Sequence, residues 1–206
     1  MARPRSTARD ELLAAVVQHV AEHGIGDLSL RPLAAAIGTS HRMLLFHFGS
    51  KEQLMVEVVR SVEAQQRAAM ATVSAQPGLS VAEQMRQQWE GYLDPALRNN
   101  IRLFFEVYAD ALRGRPGTAE FLEEATTSWL QPAAAALGPA SGRHAAVDAR
   151  LMIALTRGLL LDLVATGDVD GVDAAMRRFT ELFERGTVAP APARPARRAT
   201  PANRTR

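Results

Sequence analysis

The sequence predicts an all-α protein in which a helix-turn-helix precedes a larger helical body. Apolar residues recur at three- and four-residue spacing in one segment after another, which is the period of one face of an α-helix. No stretch alternates apolar and polar residues in the way a half-buried strand does. Residues 29–54 contain two short helical segments separated by a tight turn with a glycine, the layout of a helix-turn-helix.

Composition restricts the classes to which the chain can belong. Its 206 residues can form one or two domains, and the hydrophobic share of 47% is ordinary for a folded protein. The absence of cysteine excludes disulfide frameworks, thiolate metal sites and cysteine nucleophiles. The longest apolar stretch, 151–165, is too short to span a bilayer, and no signal-peptide pattern follows the first arginines. We expect a soluble, cytoplasmic protein that uses no membrane, metal or cofactor.

The net charge of +2 is distributed unevenly along the chain. Residues 1–60 carry seven basic against six acidic residues, 61–185 carry twelve against sixteen, and 186–206 carry five arginines and no acid. Bulk charge therefore does not identify a nucleic-acid binder, because any phosphate-contacting groups would have to be placed by the fold.

The first predicted helix follows a short arm at residues 1–6 and runs from about Thr7 to about His23. Thr7 with Asp10 three residues later is typical of a helix start, and the carboxylate suits the positive end of the helix dipole. Gly24 ends this helix. We expect it to brace the helix-turn-helix without contacting bases.

The first short helix of the helix-turn-helix has a start and a stop signal. Ser29 can act as its N-cap, and Pro32 is tolerated because it lies in the first turn. Gly38 stops the helix. Its apolar positions at helical spacing are Leu30, Leu33, Ala34 and Ile37.

The next two helices are punctuated in the same way. Thr39 or Ser40 can cap a second short helix through about Phe46, and Gly49 ends it. A capping-box pattern of serine at 50 and glutamine at 53 then starts a long helix to about residue 75. Since this helix would join the helix-turn-helix to the rest of the chain, any movement of the body has to pass through it.

Residues 10–55 resemble the N-terminal domain of the TetR family of bacterial transcriptional regulators. The shared signature comprises Glu22-His23-Gly24, Leu33-Ala34, Gly38 and the run Leu44-Leu45-Phe46-His47-Phe48-Gly49-Ser50-Lys51-Glu52-Gln53-Leu54. The match covers about a quarter of the chain without gaps. One position departs from the pattern, because the family usually has tyrosine where this chain has Leu45. That hydroxyl commonly touches a DNA phosphate, so the resemblance implies that one anchoring contact is missing.

The resemblance implies a homodimer that binds a palindromic double-stranded DNA operator and is most often a repressor released by a small molecule. It divides the chain into a DNA-binding domain at 1–49 and an effector-binding and dimerisation domain at 50–186, in which 50–75 is the connecting helix. The second short helix would enter the major groove, where Arg42 could pair with a guanine and Met43 could contact a thymine methyl. Lys51, the only lysine, would meet a phosphate. The predicted DNA-binding residues are Arg31, Thr39, Ser40, His41, Arg42, Met43, Phe46, His47 and Lys51.

The body shows helical spacing throughout. A capping box of Ser80 and Glu83 opens the first body helix, and Asp94 with the proline after it interrupts the pattern. Pro132 is expected to end or kink a later helix, and Asp170 to cap the last one. The predicted helices cover about 80–93, 96–113, 118–137, 144–166 and 170 onward.

The helix at 144–166 is apolar nearly all round, and such a helix must be covered on two sides. One short terminal helix cannot cover it within a monomer, so a second subunit is the expected partner. In the TetR family the last two helices form a four-helix dimer interface. The predicted dimerisation residues are Leu159, Leu160, Leu163, Val164, Met176, Phe179, Leu182 and Phe183.

Large aromatic and flexible apolar side chains collect in residues 85–160. Such a stripe is usually plain core, but the resemblance implies a cavity here for a small apolar or amphipathic ligand. The predicted ligand-binding residues are Met85, Trp89, Tyr92, Phe104, Phe105, Tyr108, Trp129, Met152 and Arg157. Arg157 requires a counter-charge in so apolar a helix, either a ligand anion or a carboxylate from Glu90, Glu106 or Asp110.

Residues 187–206 are rich in proline, alanine and arginine and lack periodicity, which predicts a disordered tail. Catalysis has little support, because the chain has no glycine-rich phosphate loop, His-Glu-x-x-His spacing or Gly-x-Ser-x-Gly elbow. Two alternatives stay open. One is a DNA-binding dimer without an effector, and the other is a helical small-molecule carrier or enzyme with a vestigial helix-turn-helix.

Overall fold

The computed structural model describes residues 5–24 and 29–188, of which 5–7, 139–141 and 186–188 are described by their backbone only. This part of the chain forms nine α-helices and no strand. The helices are α1 (Arg5–His23), α2 (Leu30–Ala36), α3 (His41–Phe48), α4 (Lys51–Ser74), α5 (Val81–Tyr92), α6 (Arg98–Leu112), α7 (Phe121–Leu137), α8 (Ala145–Thr166) and α9 (Val169–Val188). Short 3₁₀ segments at Pro95–Leu97 and Gly138–His144 precede α6 and α8. The predicted all-α class is confirmed.

Three of the predicted cap hydrogen bonds are present. The Ser40 hydroxyl accepts from the Met43 N–H at 3.2 Å, and the Ser50 hydroxyl accepts from the Gln53 N–H at 3.1 Å. At Ser80 the capping box is complete, because the Glu83 carboxylate also accepts from the Ser80 N–H at 2.7 Å. That bond lowers the pKa of Glu83, since it favours the ionised carboxylate.

Several local predictions need correction. Ser29 has the extended backbone of an N-cap but makes no cap hydrogen bond. The last helix begins one residue earlier than expected, and the Asp168 carboxylate, in place of Asp170, accepts from the Gly171 N–H at 2.9 Å. The helix that contains Pro132 continues to Leu137, since buried residues at helical spacing hold it on both sides of the proline.

The ends of two helices also lie beyond their predicted bounds. The second short helix ends at Phe48, two residues later than expected, because that side chain is buried at 6% exposure. The last helix extends to Val188, so it includes the first two residues of the predicted disordered tail. The rest of that tail, from 189, lies outside the described residues, as do residues 1–4 of the predicted arm.

The hydrophobic core is continuous between the helix-turn-helix and the body. The buried side chains of α1 to α3 form one cluster with the first half of α4 and with parts of α6 and α7. A second cluster joins α5, α6, α8 and α9, and a third joins α7 and α8. None of the helices in the described ranges combines the length and the apolar character that crossing a bilayer requires.

Candidate nucleic-acid interface and body cavity

The second short helix, α3, presents one face to solvent and anchors the other in the core. Leu44 is fully buried and Phe48 is 6% exposed, whereas Phe46 is 61% exposed and Met43 is 41% exposed. With Leu45 at 36%, these two exposed residues form a contiguous exposed apolar patch, which is a feature of contact surfaces. The buried side of α3 therefore fixes the helix in the core, and its other side is open to contact.

The segment that carries this surface is basic and contains no acidic residue. Between residues 29 and 51 the chain has Arg31, Arg42 and Lys51 but no aspartate or glutamate. Arg31 and Arg42 are exposed, and Lys51 is half-buried at the start of α4. Local charge therefore favours a polyanion, although the net charge of the whole chain does not.

The other predicted DNA-binding residues lie on or beside the same surface. Ser40 is exposed, and Thr39 and His41 are half-buried around the start of α3. The His47 Nε2 atom is buried and has no hydrogen-bond partner. The structure thus brings the predicted residues together around α3, while their contacts with DNA stay a prediction. Leu45, at the position where the TetR family usually has tyrosine, is 36% exposed and supplies no hydroxyl.

The end of α3 is held from behind by α1 and α4. The Arg9 guanidinium lies over the Phe48 ring at 5.0 Å and forms an ion pair with Glu57 at 2.9 Å. Glu57 also pairs with Arg60 at 3.2 Å, and Arg60 reaches Glu124 on α7 at 2.6 Å. These contacts connect the back of α3 to the body.

A second connection passes through the Gln53 side chain, which lies between two glycines. A Cβ at Gly49, the residue after α3, would overlap the Gln53 amide oxygen. A Cβ at Gly117, in the loop before α7, would lie 2.9 Å from the Gln53 Cγ. Both glycines have positive φ, +79° and +82°, which L side chains rarely adopt. The glutamine therefore does not complete the capping box expected at Ser50, because its amide occupies this position instead.

The body contains a cavity of about 150 Å³ between α4, α5, α6, α7 and α8. Along α4 its wall extends from Val59 to Ser74, about 22 Å at 1.5 Å per residue. Seven of the nine predicted ligand-binding residues line it: Met85, Trp89, Tyr92, Phe104, Trp129, Met152 and Arg157. Burial raises the pKa of Tyr92 to about 12, so this phenol is neutral.

Two predicted ligand-binding residues do not line the cavity. Phe105 packs in the cluster of α5, α8 and α9, because it lies on another face of α6 than Phe104. Tyr108 packs against Phe104 and Phe121, with ring centroids 5.7 Å and 6.3 Å apart. Sequence periodicity identified the helix but did not separate its faces.

Arg157 forms an ion pair that differs from every predicted one. Its partner is Glu63 on α4, with Nη2 and Oε1 4.0 Å apart, and none of Glu90, Glu106 and Asp110. Arg157 also donates to the Ala125 carbonyl and lies over the Phe104 ring at 5.4 Å.

Glu63 is a functional candidate that the sequence analysis missed. Its carboxylate accepts from the Trp129 indole N–H at 2.9 Å. Burial raises the pKa of Glu63 and lowers that of Arg157, and each residue's attraction to the other opposes the shift. The available signal was a carboxylate in the apolar stripe of α4, four residues after Val59 and seven before Met70.

The predicted dimerisation residues divide into two groups. Leu160, Leu163 and Met176 are 8%, 0% and 3% exposed within the protomer, where they pack α8 against α9 and α5. Their part in a dimer interface stays a prediction. Leu159, Val164, Phe179 and Phe183 are half-buried, and Leu182 is 49% exposed.

Helix α8 also has an exposed apolar face that the predicted dimerisation residues do not include. Val147 is 60% exposed, Leu151 59% and Leu161 50%, and the exposed residues Ala154, Gly158 and Ala165 complete the row. The spacing alternates between four and three, which is the spacing of a seam between packed helices.

No group of three or more metal-ligating side chains is found within the described ranges. An exposed, acid-free helix-turn-helix on an all-α body with a cavity is the arrangement expected of a DNA-binding transcriptional regulator. The comparisons with known proteins agree with this class.

The family model described as "Bacterial regulatory proteins, tetR family" matches residues 12–58. No curated protein sequence matches the chain. A transcriptional regulator from Rhodococcus sp. Rha1 superposes with a TM-score of 0.71 at 21% identity, over 89% of this chain and 100% of that one. A TetR-family regulator from Pectobacterium atrosepticum gives 0.71 at 20% identity, over 91% and 100%. A regulator from Saccharomonospora viridis in complex with choline gives 0.66 at 22% identity, over 88% and 97%.

The N-terminal domain of the chain is similar to that of the TetR family, and the fold of the described residues is that of the solved structures of TetR-family regulators. The prediction of a DNA-binding transcriptional regulator is confirmed at the level of the N-terminal domain. TetR-family regulators bind DNA operators and form dimers.

Proposed function

We propose that the protein is a homodimeric repressor that binds a palindromic operator through α3 and leaves it when a small molecule enters the body cavity. The exposed, acid-free surface of α2 and α3 carries this proposal, because it is the part of the described chain that fits the major groove in shape and charge. The DNA-binding unit would comprise residues 1–49 and the body residues 50–186.

The dimer would form through the exposed face of α8 together with Leu182 of α9. A second copy of this chain fits that face, since small residues at 154, 158 and 165 allow close approach between large ones. A two-fold axis there would present two copies of α3 to successive major grooves, roughly 34–36 Å apart.

Ligand release would act through α4, which supports α3 at one end and lines the cavity along most of its length. A ligand changes DNA affinity only by its differential affinity for the two conformers, typically about 1–3 kcal/mol of coupling. The Saccharomonospora viridis regulator, which has a similar fold, forms a complex with choline, and this supports a small-molecule ligand for the present chain.

The direct test is binding of the purified protein to its own upstream DNA and to scrambled DNA of equal length at about 0.15 M salt. We expect a preference of about a thousandfold or more for the operator. Equal binding to all fragments in a genomic selection would contradict a sequence-specific regulator and favour the alternative of a small-molecule carrier or enzyme with a vestigial helix-turn-helix.

Arg42→Ala should weaken operator binding by about 1–3 kcal/mol and relax sequence preference at one base pair of each half-site. The exposed guanidinium can make a bidentate contact with guanine that alanine cannot replace. Fluorescence anisotropy with operators mutated one base pair at a time measures both effects. An unchanged base preference would remove Arg42 from the base-contacting residues.

Lys51→Ala should weaken binding to operator and scrambled DNA by the same factor. A phosphate contact carries no sequence information, so the slope of log affinity against log salt should fall by about one per protomer. Lys51→Arg is the matched control and should keep the slope. A loss confined to the operator would contradict a phosphate contact.

A further inference from the structure

The charge of the cavity wall restricts its ligand. Its charged lining residues are Glu63 and Arg157, whose opposite charges cancel and whose side chains form an ion pair. Glu63 already accepts from Trp129, and Arg157 already donates to Ala125. A charged ligand would therefore be buried without a free counter-ion, or would have to separate the pair and leave one ion unpartnered.

The polar groups that remain available around the cavity are neutral. The Trp89 indole N–H is buried and has no hydrogen-bond partner, and Trp89 is 2% exposed. The Asn100 amide oxygen, in a residue 7% exposed, and the Gln84 amide oxygen also have no partner. All three residues line the cavity. Unpartnered buried polar groups are costly, so a ligand that hydrogen-bonds them gains affinity beyond apolar contact.

The size of the cavity bounds the ligand as well. About 150 Å³ is the volume of a cavity that holds a benzene-sized molecule, so a ligand of about six to eight non-hydrogen atoms fits without rearrangement. Because the wall along α4 is about 22 Å long, a cavity of this volume is narrow in cross-section.

We propose that the cavity selects an uncharged, slender amphiphile: an apolar chain of about six to eight non-hydrogen atoms with one hydroxyl or carbonyl oxygen, which accepts from the Trp89 N–H while the Glu63–Arg157 pair stays closed. This inference rests on the proposed function for its regulatory meaning, but binding itself can be tested without DNA.

The experiment titrates the full-length protein with 1-hexanol, hexanoate, hexylammonium and hexane at pH 7. The chain has two tryptophans, Trp89 and Trp129, and both line the cavity, so intrinsic fluorescence reports occupancy directly. We expect 1-hexanol to bind at least tenfold more tightly than either ion. Tighter binding of hexanoate or hexylammonium would overturn the proposal.

Trp89→Phe keeps an aromatic ring and removes the N–H, with Trp129 left as the reporter. This variant should bind 1-hexanol about fivefold more weakly, whereas its affinity for hexane should be unchanged. An equal loss of affinity for 1-hexanol and for hexane would overturn the proposed hydrogen bond to Trp89 and indicate that this residue has a purely structural role.

The position of the site is tested by filling it. Ala133→Leu, on the cavity wall of α7, should abolish 1-hexanol binding, and Ala135→Leu, on the exposed side of the same helix, should not. Ala133 is fully buried, so the half-buried cavity residue Ala136 provides a second variant, Ala136→Leu, if the first does not fold. Unchanged binding in a folded wall variant would overturn the assignment to this cavity.

The same titrations on operator-bound protein separate the two proposals. Binding of 1-hexanol without operator release supports the ligand class and contradicts ligand-driven release. Release by a charged compound that binds the cavity more tightly supports the proposed function and overturns the uncharged class.

Discussion

Leu151→Glu combined with Leu161→Glu should convert the dimer into monomers and lower operator affinity by at least about 100-fold, because a monomer loses the avidity of two linked half-site contacts. Both side chains are at least half exposed in the protomer, so the protomer fold should survive. Across a two-fold axis each glutamate would face either the same glutamate of the other subunit or an apolar surface. Charge repulsion in the first case and loss of hydration in the second both oppose association.

Sedimentation velocity gives the oligomeric state of this variant, and fluorescence anisotropy gives its affinity for full and half operators. Leu112→Glu is the matched control, since Leu112 is 67% exposed at the end of α6, outside the α8 face. It should remain dimeric. A dimer that persists in the double variant would show that α8 does not form the interface.

Arg157→Met should lower the free energy of unfolding by about 3 kcal/mol at pH 7, since it leaves the Glu63 carboxylate buried without its counter-charge. The two side chains are 21% and 15% exposed, so solvent screens their interaction only in part. The loss should shrink as the pH falls. The folded variant binds a proton at Glu63 that the unfolded chain, with its ordinary pKa, does not bind until lower pH.

Urea unfolding at fixed protein concentration measures this effect. Glu63→Gln added to Arg157→Met should recover most of the loss, because the amide keeps an acceptor for the Trp129 N–H and carries no charge. Arg150→Met, at an exposed position of the same helix, is the control and should change stability by less than about 0.5 kcal/mol. A loss equal to that of Arg150→Met would mean that the ion pair contributes nothing.

The sequence predictions were accurate for interactions between residues close together in the chain and failed for interactions between residues far apart in it. Caps at Ser40, Ser50 and Ser80 were predictable because donor and acceptor lie three residues apart. The pairing of Arg157 with Glu63 joins residues far apart in sequence, and the spacing of α8 alone favoured no carboxylate over another.

The division of α8 between a buried and an exposed side was unpredictable for a related reason. The helix is apolar nearly all round, so its own pattern does not say which side α9 covers. In the structure α9 and α5 cover the side of Leu160 and Leu163, and the side of Leu151 and Leu161 remains open. Similarly, Phe104 faces the cavity and Phe105 does not, because the packing of α6 against four neighbouring helices decides which face is inward.

The position of Gln53 between Gly49 and Gly117 has a consequence for how this sequence can diverge. A side chain at 49 or 117 would need a left-handed backbone as well as space beside Gln53, so a shorter residue at 53 would not be enough to release either glycine. In homologous chains we therefore expect glycine to persist at 49 and 117 even where residue 53 varies. Such persistence would preserve the approach of the loop before α7 to the start of α4 across evolutionary time.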